Sequence, residues 1–387
     1  MAGDWIETNV GELLSFTNGQ SSPERADGLP YPVYGSNGII GYASEANADN
    51  GAIIIGRVGS YCGSLYQSAQ KCWVTDNAIR AVAKRDHEPR FLFYLLGTLA
   101  LNSRRTGSGQ PLLNQDILSR IPAVIPGPAE QRAIVHVLGT LDDKIKLNYR
   151  HNLTLEAMAL ALFQDWLIDF GPVRAQMEGR EAYLPTDLWQ LFPDRLNSEG
   201  KPEGWEVRSI GDFAELKGGK QLQKERIAPA GPVPVFGGAG VMGYTDSHNA
   251  DGFVIAVGRV GAYCGQFFAH RGKAWINNNA SLIRQTDETL GEWLFLSLRH
   301  ADIDVIKKGA AQPFVSNSDI AKLPLVWPGE KIVRAFSKVV TPFLIRKERN
   351  EAESDSLAAL RNTLLLKLIS GDLRIANAEK FIERAGL

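Results

Sequence analysis

The octapeptide GRVGSYCG at residues 56–63 recurs as GRVGAYCG at residues 258–265, an offset of 202 residues. Other short motifs repeat at this offset and in the same order: Pro32-Val33-Tyr34-Gly35 with Pro234-Val235-Phe236-Gly237, Gly41-Tyr42 with Gly243-Tyr244, Asn77-Ala78 with Asn279-Ala280, Gln110-Pro111 with Gln312-Pro313, and Pro122 and Pro126 with Pro324 and Pro328. Trp5 and Gly11 match Trp205 and Gly211 after a slip of two residues. So many collinear matches identify the chain as a duplicated unit.

The first part of each copy is broken by Gly, Asn and Pro at short intervals, as in a domain of short strands and turns. The continuous apolar runs that precede the two octapeptides predict strands that are buried. Strands are therefore predicted at residues 52–55 and 253–257, and a short helix around residues 89–101 and 291–300.

The second part of each copy, roughly 129–169 and 330–371, carries apolar residues at alternating spacings of three and four. In the first copy the stripe consists of Ile134, Leu138, Leu141, Ile145, Asn148, Asn152, Leu155, Leu162 and Trp166, and in the second of Phe336, Val340, Phe343, Asn350, Ser354, Leu357, Leu364 and Leu368. This spacing predicts a long helix that packs on a similar helix. At about 1.5 Å per residue, about 40 residues span roughly 60 Å. A buried Asn costs stability but can fix the register of two packed helices. The asparagines in the middle of both seams are therefore expected to fix the register.

We therefore predict an α+β fold with two similar globular domains and two long, coiled-coil-like helices. Antiparallel helices would give the internal repeat a pseudo-two-fold arrangement. Between the copies, Pro, Gly and charged residues predict a linker. The predicted segments are residues 1–128 (first globular domain), 129–170 (first long helix), 171–204 (linker), 205–328 (second globular domain), 329–373 (second long helix) and 374–387 (C-terminal tail).

Composition favours a soluble, cytoplasmic protein. Three scattered cysteines among 387 residues are too few for a disulfide framework or a zinc site, which is typical of a reducing compartment. The N-terminus lacks the features of a signal peptide, and the most apolar run, at 91–101, is about half the ~20 residues of a membrane helix. The net charge of −1 is unusual for a protein that binds DNA alone, although local patches or a partner can supply positive charge.

Several basic and amide side chains are candidates for contacting DNA. Arg57 and Arg259, each beside glycine, are suited to bidentate contacts with guanine or phosphate. The alternative is a structural turn in which Tyr61 and Tyr263 serve as packing. Arg104-Arg105 before Gln110, and Lys307-Lys308 before Gln312, combine positive charge with a small-residue loop. Such loops suit close approach to phosphates, and Gln can pair with adenine.

Two further sets of polar residues are open to either interpretation. Lys217, Lys220 and Lys224 form a basic cluster that the first copy lacks, and it is either a DNA contact or a solvated surface. Asp76-Asn77 and Asn277-Asn278-Asn279 are either base readers or turn residues, with turns favoured.

No catalytic, metal or cofactor site is predicted. Residues 238–243 fit Gly-x-Gly-x-x-Gly, but the equivalent residues 36–41 lack the first glycine and neither stretch follows a βαβ pattern. The histidines show no metal-ligand spacing, and no nucleophile–base pair or phosphate-binding loop is visible.

The order of globular domain, long helix, linker, globular domain and long helix resembles the specificity subunits of type I restriction–modification enzymes. The resemblance extends over nearly the whole chain. Its motifs include the two octapeptides, Gly204-Trp205, the Gly-x-x-Gln-Pro stretches at Gly107 and Gly309, the Ile-Pro…Pro…Glu-Gln pattern from Ile121 to Gln131, Asp169-Phe170-Gly171-Pro172-Val173 and Leu191-Phe192-Pro193-Asp194. The second copy has Lys331-Ile332 in place of Glu130-Gln131, so the two helix starts are not expected to make identical contacts.

The resemblance implies a non-catalytic subunit that recognises a bipartite target in double-stranded DNA. Each globular domain would be a target-recognition domain for one half-site. The helices would dock two methyltransferase subunits, which bring S-adenosylmethionine, and restriction/translocase subunits would join them for cleavage. Two other classes remain: a methyltransferase or nuclease with its own recognition domain, which would carry a cofactor or carboxylate motif, and a scaffold whose repeats bind only protein.

Overall fold

The computed structural model describes residues 5–106, 111–309 and 312–375. The chain forms two compact units. Unit 1 comprises Met1–Tyr149 and Glu351–Leu387, and unit 2 comprises Arg150–Asn350. Each unit thus contains one globular domain together with part of both long helices.

The globular domain of unit 1 contains three small sheets. The first has the order β1-β9, the second β2-β8-β5-β6 and the third β4-β3-β7, and only the β3–β7 pair is parallel. Its elements, with the first long helix, are β1 (Ile6–Asn9), α1 (Val10–Leu13), β2 (Leu14–Asn18), β3 (Tyr31–Gly35), β4 (Gly38–Ala43), β5 (Ile53–Gly56), β6 (Leu65–Gln67), β7 (Trp73–Val74), β8 (Ala78–Ala83), α2 (Pro89–Thr98), α3 (Gln115–Ser119), β9 (Pro122–Ile125) and α4 (Pro128–Phe163).

Unit 2 repeats this topology strand for strand. Its sheets have the orders β10-β18, β11-β17-β14-β15 and β13-β12-β16, with β12 and β16 parallel. The remaining elements are α5 (Gly171–Met177), α6 (Thr186–Trp189), β10 (Glu206–Ser209), β11 (Ala214–Gly218), β12 (Val233–Gly237), β13 (Gly240–Thr245), β14 (Phe253–Gly258), β15 (Phe267–Arg271), β16 (Trp275–Ile276), β17 (Ala280–Gln285), α7 (Gly291–His300), α8 (Asn317–Ala321), β18 (Pro324–Trp327) and α9 (Glu330–Ser370).

Strands β5 and β14 are buried on both faces, which explains their continuous apolar sequences. Ile53 and Ile55 face the main core of unit 1, whereas Ile54 packs in a second cluster with Tyr34, Cys72 and Val74. In unit 2 the same alternation separates Ile255 and Val257 from Val254 and Ala256. The predicted strands and the predicted short helices, α2 and α7, are confirmed.

The long helices run antiparallel within each unit, because partner numbers fall along α9 as they rise along α4. In unit 1, Glu130 pairs with Arg374 (3.1 Å) and Asp142 with Arg361 (2.8 Å). In unit 2, Glu156 pairs with Lys347 (3.3 Å), and the rings of Trp166 and Phe336 meet edge to face. The predicted α+β fold with two long antiparallel helices is confirmed.

The predicted linker, 171–204, contains secondary structure and contributes to the core of unit 2. A π-helical turn, Gln164–Ile168, ends the first long helix, and α5 follows with Pro172 in its first turn. Val173 and Phe192 are buried in the unit 2 core, where the Phe192 ring lies edge-on to Trp166. Residues 171–204 therefore connect the two copies and also form part of the core of unit 2.

The starts of the two long helices differ, as the sequence predicts. In unit 1, the buried Gln131 side chain accepts a hydrogen bond from the Glu88 backbone N–H (3.0 Å) and donates one to the Pro126 carbonyl (2.9 Å). The sequence comparison set Lys331-Ile332 against Glu130-Gln131, but at the constant offset of 202 residues the equivalent of Gln131 is Val333, which is buried and has no polar side-chain group to make these bonds. At this position the helix start is joined to its globular domain by hydrogen bonds in unit 1 and by apolar packing in unit 2, whose polar contacts come instead from Arg334 to Asp287 (3.2 Å) and from Ser337 to the Thr289 carbonyl (2.9 Å).

Candidate nucleic-acid interface

Each octapeptide forms a tight loop after a buried strand. In unit 1 the Arg57 N–H donates to the Asn77 carbonyl (3.0 Å), and the Arg57 carbonyl accepts from the Leu113 N–H (2.9 Å). The turn between β3 and β4 joins this loop, because Ser36 Oγ donates to the Asn77 carbonyl and accepts from the Val58 N–H. Four connections therefore meet at one end of the domain. We call them the first loop cluster, which consists of residues 35–38, 56–63, 75–78, 104–106 and 111–113.

Unit 2 builds an equivalent second loop cluster from residues 237–240, 258–265, 277–280, 306–309 and 312–315. The Arg259 N–H donates to the Asn279 carbonyl (3.0 Å), and the Arg259 carbonyl accepts from the Val315 N–H (3.0 Å). The carbonyl of Gly238, in the β12–β13 turn, lies where a side chain at Gly258 would stand. Glycine is required there because the two loops approach so closely.

The arginines of the octapeptides, Arg57 and Arg259, are compatible with both interpretations of the sequence, a structural turn and a contact with DNA. Their backbones are part of the turn, while both arginine residues are half-buried and their Nε atoms are shielded from solvent. Arg57 Nη1 donates to the Asp76 carbonyl at 3.4 Å, and Arg259 lies beside Gly218. Tyr61 and Tyr263 are not core residues, since 53% and 51% of these residues are exposed.

The basic pairs beside the clusters do not correspond residue for residue. Arg105 is the equivalent of Lys307, whereas Lys308 corresponds to Thr106, because Thr106 bridges to Leu112 as Lys308 bridges to Phe314. Arg104-Arg105 and Lys307-Lys308 are therefore offset from each other by one residue. Arg104 donates through Nε to the Leu99 carbonyl (3.1 Å).

The lysines of unit 2 are held by nearby carboxylates. Lys307 pairs with Asp304 and Lys308 with Asp319, both at 2.6 Å. The hydrogen bond from Lys308 and that from Ser316 lower the pKa of Asp319, so this carboxylate stays ionised. Arg104 and Arg105, in contrast, form no ion pair within residues 5–106, 111–309 and 312–375.

Nearby positive charge also affects the pKa of the cysteines inside the two loops. Burial raises the pKa of the Cys62 thiol, and Arg105 opposes this rise; Cys264 is affected in the same way by Lys307. Lys307 lies close to the second of these loops, since its Cε would be 3.3 Å from a side chain at Gly265. Cys62, Cys72 and Cys264 are all buried and unpaired.

Of the two glutamines that are candidates for pairing with adenine, the structure describes only Gln312. Gln110 lies outside the described residues. Gln312 is exposed at the described edge of the second cluster and precedes Pro313, whose carbonyl accepts from the Gly261 N–H (2.9 Å).

Lys217 and Lys220 lie on and just after β11, next to Arg259. Lys217 pairs with Glu215 (2.8 Å), and the Lys220 carbonyl accepts from the Trp275 indole N–H (2.9 Å). Both lysines are exposed, so the second cluster has a basic flank. Their counterparts in the first copy, Thr17 and Gln20, are uncharged.

The asparagine runs serve as turn residues, as the sequence favours. The buried side chain of Asn277 accepts hydrogen bonds from the Leu222 and Asn278 N–H groups, at 3.3 and 2.8 Å. Asn77 and Asn279 offer their backbone carbonyls to Arg57 and Arg259.

Neither metal ligation nor membrane insertion is indicated in the part of the chain that the structure describes. Its His, Cys, Asp and Glu residues form no group of three or more that is suited to a metal ion. None of its helices combines the length and apolar character that crossing a bilayer requires.

Comparison with known proteins gives one consistent result. The family described as "Type I restriction modification DNA specificity domain" matches residues 3–157 and 202–353. The HindI specificity subunit of Haemophilus influenzae is 26% identical over 365 residues, covering 74% of this chain and 77% of the relative. The MjaIX specificity subunit of Methanocaldococcus jannaschii is 26% identical over 338 residues, covering 78% and 73%.

A solved structure agrees in fold. The S subunit of a type I restriction–modification system from M. genitalium superimposes with a TM-score of 0.67 at 16% identity, covering 95% of this chain and 96% of that one. Because the family match occurs twice and together covers most of the chain, the protein belongs to the type I restriction–modification specificity family and is a specificity subunit of such a system.

Proposed function

We propose that this subunit recognises a bipartite target in double-stranded DNA, and that each loop cluster reads one half-site. The observation that carries this proposal is that two loop clusters with the same hydrogen-bond framework occur, one in each unit. Each presents basic side chains at the same end of its domain as an exposed tyrosine. A duplicated reading surface matches a target with two separate parts.

The candidate residues divide by chemistry into two groups. Arg104, Arg105, Lys307 and Lys308 are exposed beside small-residue loops, so they suit phosphate contacts that set position. Arg57, Arg259, Gln110 and Gln312 have the bidentate groups that distinguish guanine or adenine. Lys217 and Lys220 add phosphate contacts to the second half-site only. The ion pairs of Lys307 and Lys308 do not prevent this, because exposed pairs contribute little and exchange readily.

Each segment predicted from the sequence has a role in the proposed function. Residues 1–128 and 205–328 are the two target-recognition domains, 129–170 and 329–373 the two long helices, 171–204 the connection and 374–387 the tail. Two methyltransferase subunits dock on the helices and bring S-adenosylmethionine, and restriction/translocase subunits complete the assembly in the cytoplasm. Exposed apolar residues support docking on a helix: Leu153 and Leu160 lie two turns apart on one face of α4.

Co-expression with the methyltransferase subunit, followed by genome-wide mapping of methylated bases, tests this function. We expect one split motif with a gap of fixed length. A continuous motif, or no motif in an assembled complex, would contradict bipartite recognition.

Exchange of one domain provides the second test and separates DNA reading from a protein scaffold. Replacing residues 205–328 with the corresponding domain of a relative should change one half of the motif and leave the other half and the gap unchanged. If the motif stayed the same, the globular domains would not be the reading elements.

A further inference from the structure

Tyr61 and Tyr263 occupy equivalent positions in their two loops, and neither belongs to the buried core. Each ring lies in the octapeptide that follows a buried strand, and about half of each residue is exposed to solvent. A single exposed aromatic side chain is ordinary. The recurrence of this exposure at equivalent positions of two domains is a structural feature that needs a reason.

The backbone beneath each ring is fixed by four hydrogen bonds. In unit 1 these run from Gly59 N to Pro111 O (3.1 Å), from Cys62 N to Gly59 O (3.1 Å), from Gly63 N to Gly56 O (2.8 Å) and from Ser64 N to Tyr61 O (3.0 Å). In unit 2 the equivalent bonds start at Gly261, Cys264, Gly265 and Gln266 and measure 2.9, 3.0, 2.8 and 3.1 Å. A rigid loop that presents a ring loses little conformational entropy when the ring binds a partner.

Glycines make this loop geometry possible. Gly63 has a φ of +88°, and a side chain there would lie 2.6 Å from the Asn102 nitrogen. Gly265 has a φ of +83°, and a side chain there would lie 2.7 Å from Ile303 Cγ1. The sequence thus keeps glycine where the turn presses on the domain, and tyrosine where it faces solvent.

Positive charge and, in unit 2, exposed apolar side chains lie in the same loop clusters as the rings. Lys307 lies close to the loop of Tyr263, since its Cε would be 3.3 Å from a side chain at Gly265, and Arg105 is its equivalent in unit 1. In unit 2, Val260 and Phe314 are also partly exposed and pair across adjacent backbones. An aromatic ring on a hydrogen-bonded loop in the same cluster as a cation is suited to a partner with an apolar surface near a negative charge, which describes the groove edge of a nucleobase and its phosphate.

We propose that the rings of Tyr61 and Tyr263 contact nucleobases in the first and second half-site, and that each sets specificity at one base pair. This inference rests on the proposed function, in which the loop clusters face DNA. The basic residues hold the backbone, while the ring makes van der Waals contact with the groove edge of a base, such as a thymine methyl group. The two tyrosines are then specificity-determining residues that a search for basic and amide side chains overlooks.

The test measures binding of the complex of this chain with its methyltransferase subunit. The duplexes are the cognate target and a panel with one base pair changed at a time. Tyr61→Ala should weaken cognate binding about tenfold, as expected for the loss of the contact to one base pair of a duplex site. It should also reduce discrimination at one base pair of the first half-site and leave the second unchanged. Tyr263→Ala should show the opposite pattern.

Two matched variants make the result specific to the ring. Tyr61→Phe should keep wild-type affinity and discrimination, because it retains the aromatic face. Tyr42→Ala removes another exposed tyrosine of the same domain, on strand β4 rather than in a loop of the cluster, and should change neither quantity. Thermal unfolding of Tyr61→Ala should stay close to that of the wild type, because Tyr61 is exposed and is not one of the buried core residues.

Three outcomes would overturn the inference. In the first, Tyr61→Ala and Tyr263→Ala keep wild-type ratios between cognate and changed duplexes. In the second, Tyr61→Phe is as weak as Tyr61→Ala, which would assign the contact to the hydroxyl group. In the third, both half-sites lose discrimination equally. Arg105→Gln distinguishes these failures from failure of the proposed function, since it weakens DNA binding if the loop cluster faces DNA, whatever the ring does.

Discussion

The side chains of Asn350 and Asn152 are hydrogen-bonded to each other inside unit 2, with Asn350 Nδ2 donating to Asn152 Oδ1 at 2.8 Å. Both residues are buried in the seam between α4 and α9. In unit 1 the equivalent positions are Asn148 and Ser354, and Asn148 Nδ2 donates to Ser354 Oγ at 3.3 Å. The sequence repeat thus produces the same polar contact once in each unit, with the roles of the two helices exchanged.

We predict that Asn350 and Asn152 stabilise unit 2 as a coupled pair. Asn350→Ala should lower the free energy of unfolding by about 1–3 kcal/mol, because it leaves a buried amide without this partner. The double variant Asn152→Ala/Asn350→Ala should lose less than the sum of the single variants. Urea unfolding of all four proteins measures the coupling, and strictly additive losses would contradict it.

The periodicity of the sequence was sufficient to predict both long helices. The predicted ranges, 129–169 and 330–371, agree with α4 plus its π-helical turn and with α9. Within the seam the agreement weakens toward the end of α4. Leu155 and Leu162 are only half-buried, whereas Ala159 and Phe163 are buried. The reason is that an α-helix has 3.6 residues per turn, whereas a heptad pattern repeats every 3.5 residues. Positions that follow a strict heptad therefore rotate away from the buried face along the helix.

Tertiary packing decided the features that the sequence did not predict. The composition of residues 171–204 indicates turns, and it does not reveal that Phe192 packs against Trp166. The exposure of Tyr61 and Tyr263 depends on where the loop stands relative to its neighbours, and a motif of eight residues does not encode this. The backbone role of the octapeptide was predictable from its glycines, because three of its eight positions in each copy need either a tight turn or a close approach.

Gly59 and Gly63 provide a matched pair for testing the loop. Both have positive φ, +72° and +88°, so alanine at either position adds strain of about 1–2 kcal/mol. A side chain at Gly59 meets nothing within 4 Å, whereas one at Gly63 meets the Asn102 backbone. Gly63→Ala should therefore cost roughly 1–3 kcal/mol more than Gly59→Ala. Chemical unfolding of the two variants measures this difference. Equal losses of unfolding free energy would show that the loop shifts to accommodate a side chain at Gly63.

The acidic side chain of Glu156 should make the stability of unit 2 depend on pH. Burial acts to raise the pKa of this carboxyl, but hydrogen bonds and charge from Arg299 and Lys347 outweigh it and lower the pKa below 4.5. A lowered pKa in the folded state means that the stabilisation is present above pH 4.5 and is lost as the pH falls through the folded value.

Glu156→Gln should therefore lower the free energy of unfolding by about 1 kcal/mol near pH 7, since the group is partly exposed. The difference from the wild type should disappear in acid. Glu181→Gln, at an exposed position of the same unit, serves as the control and should leave the pH profile unchanged. A wild-type profile for Glu156→Gln would show that the ion pairs are energetically neutral.

Lys307 and Gln312 of the second loop cluster should affect DNA binding in different ways. Lys307→Gln should weaken binding to all duplexes alike and reduce the slope of log affinity against log salt by about 1, as expected for one lost phosphate contact. Gln312→Ala should keep that slope and lose preference at one base pair of the second half-site. Salt titrations on cognate and changed duplexes separate the two, and a sequence-dependent effect of Lys307→Gln would exchange their roles.

Helix length should set the gap in the target if the long helices hold the two recognition domains apart. We consider seven residues inserted in both helices, between Ala157 and Met158 of α4 and between Arg346 and Lys347 of α9. One heptad keeps the buried face in phase and adds about 10 Å, which corresponds to about 3 base pairs at 3.4 Å each. Methylation mapping should show both half-site sequences unchanged and a gap longer by about that amount. Insertion in α4 alone should abolish assembly, because the two seams then fall out of register. An unchanged gap with both insertions would mean that the helices do not determine the spacing.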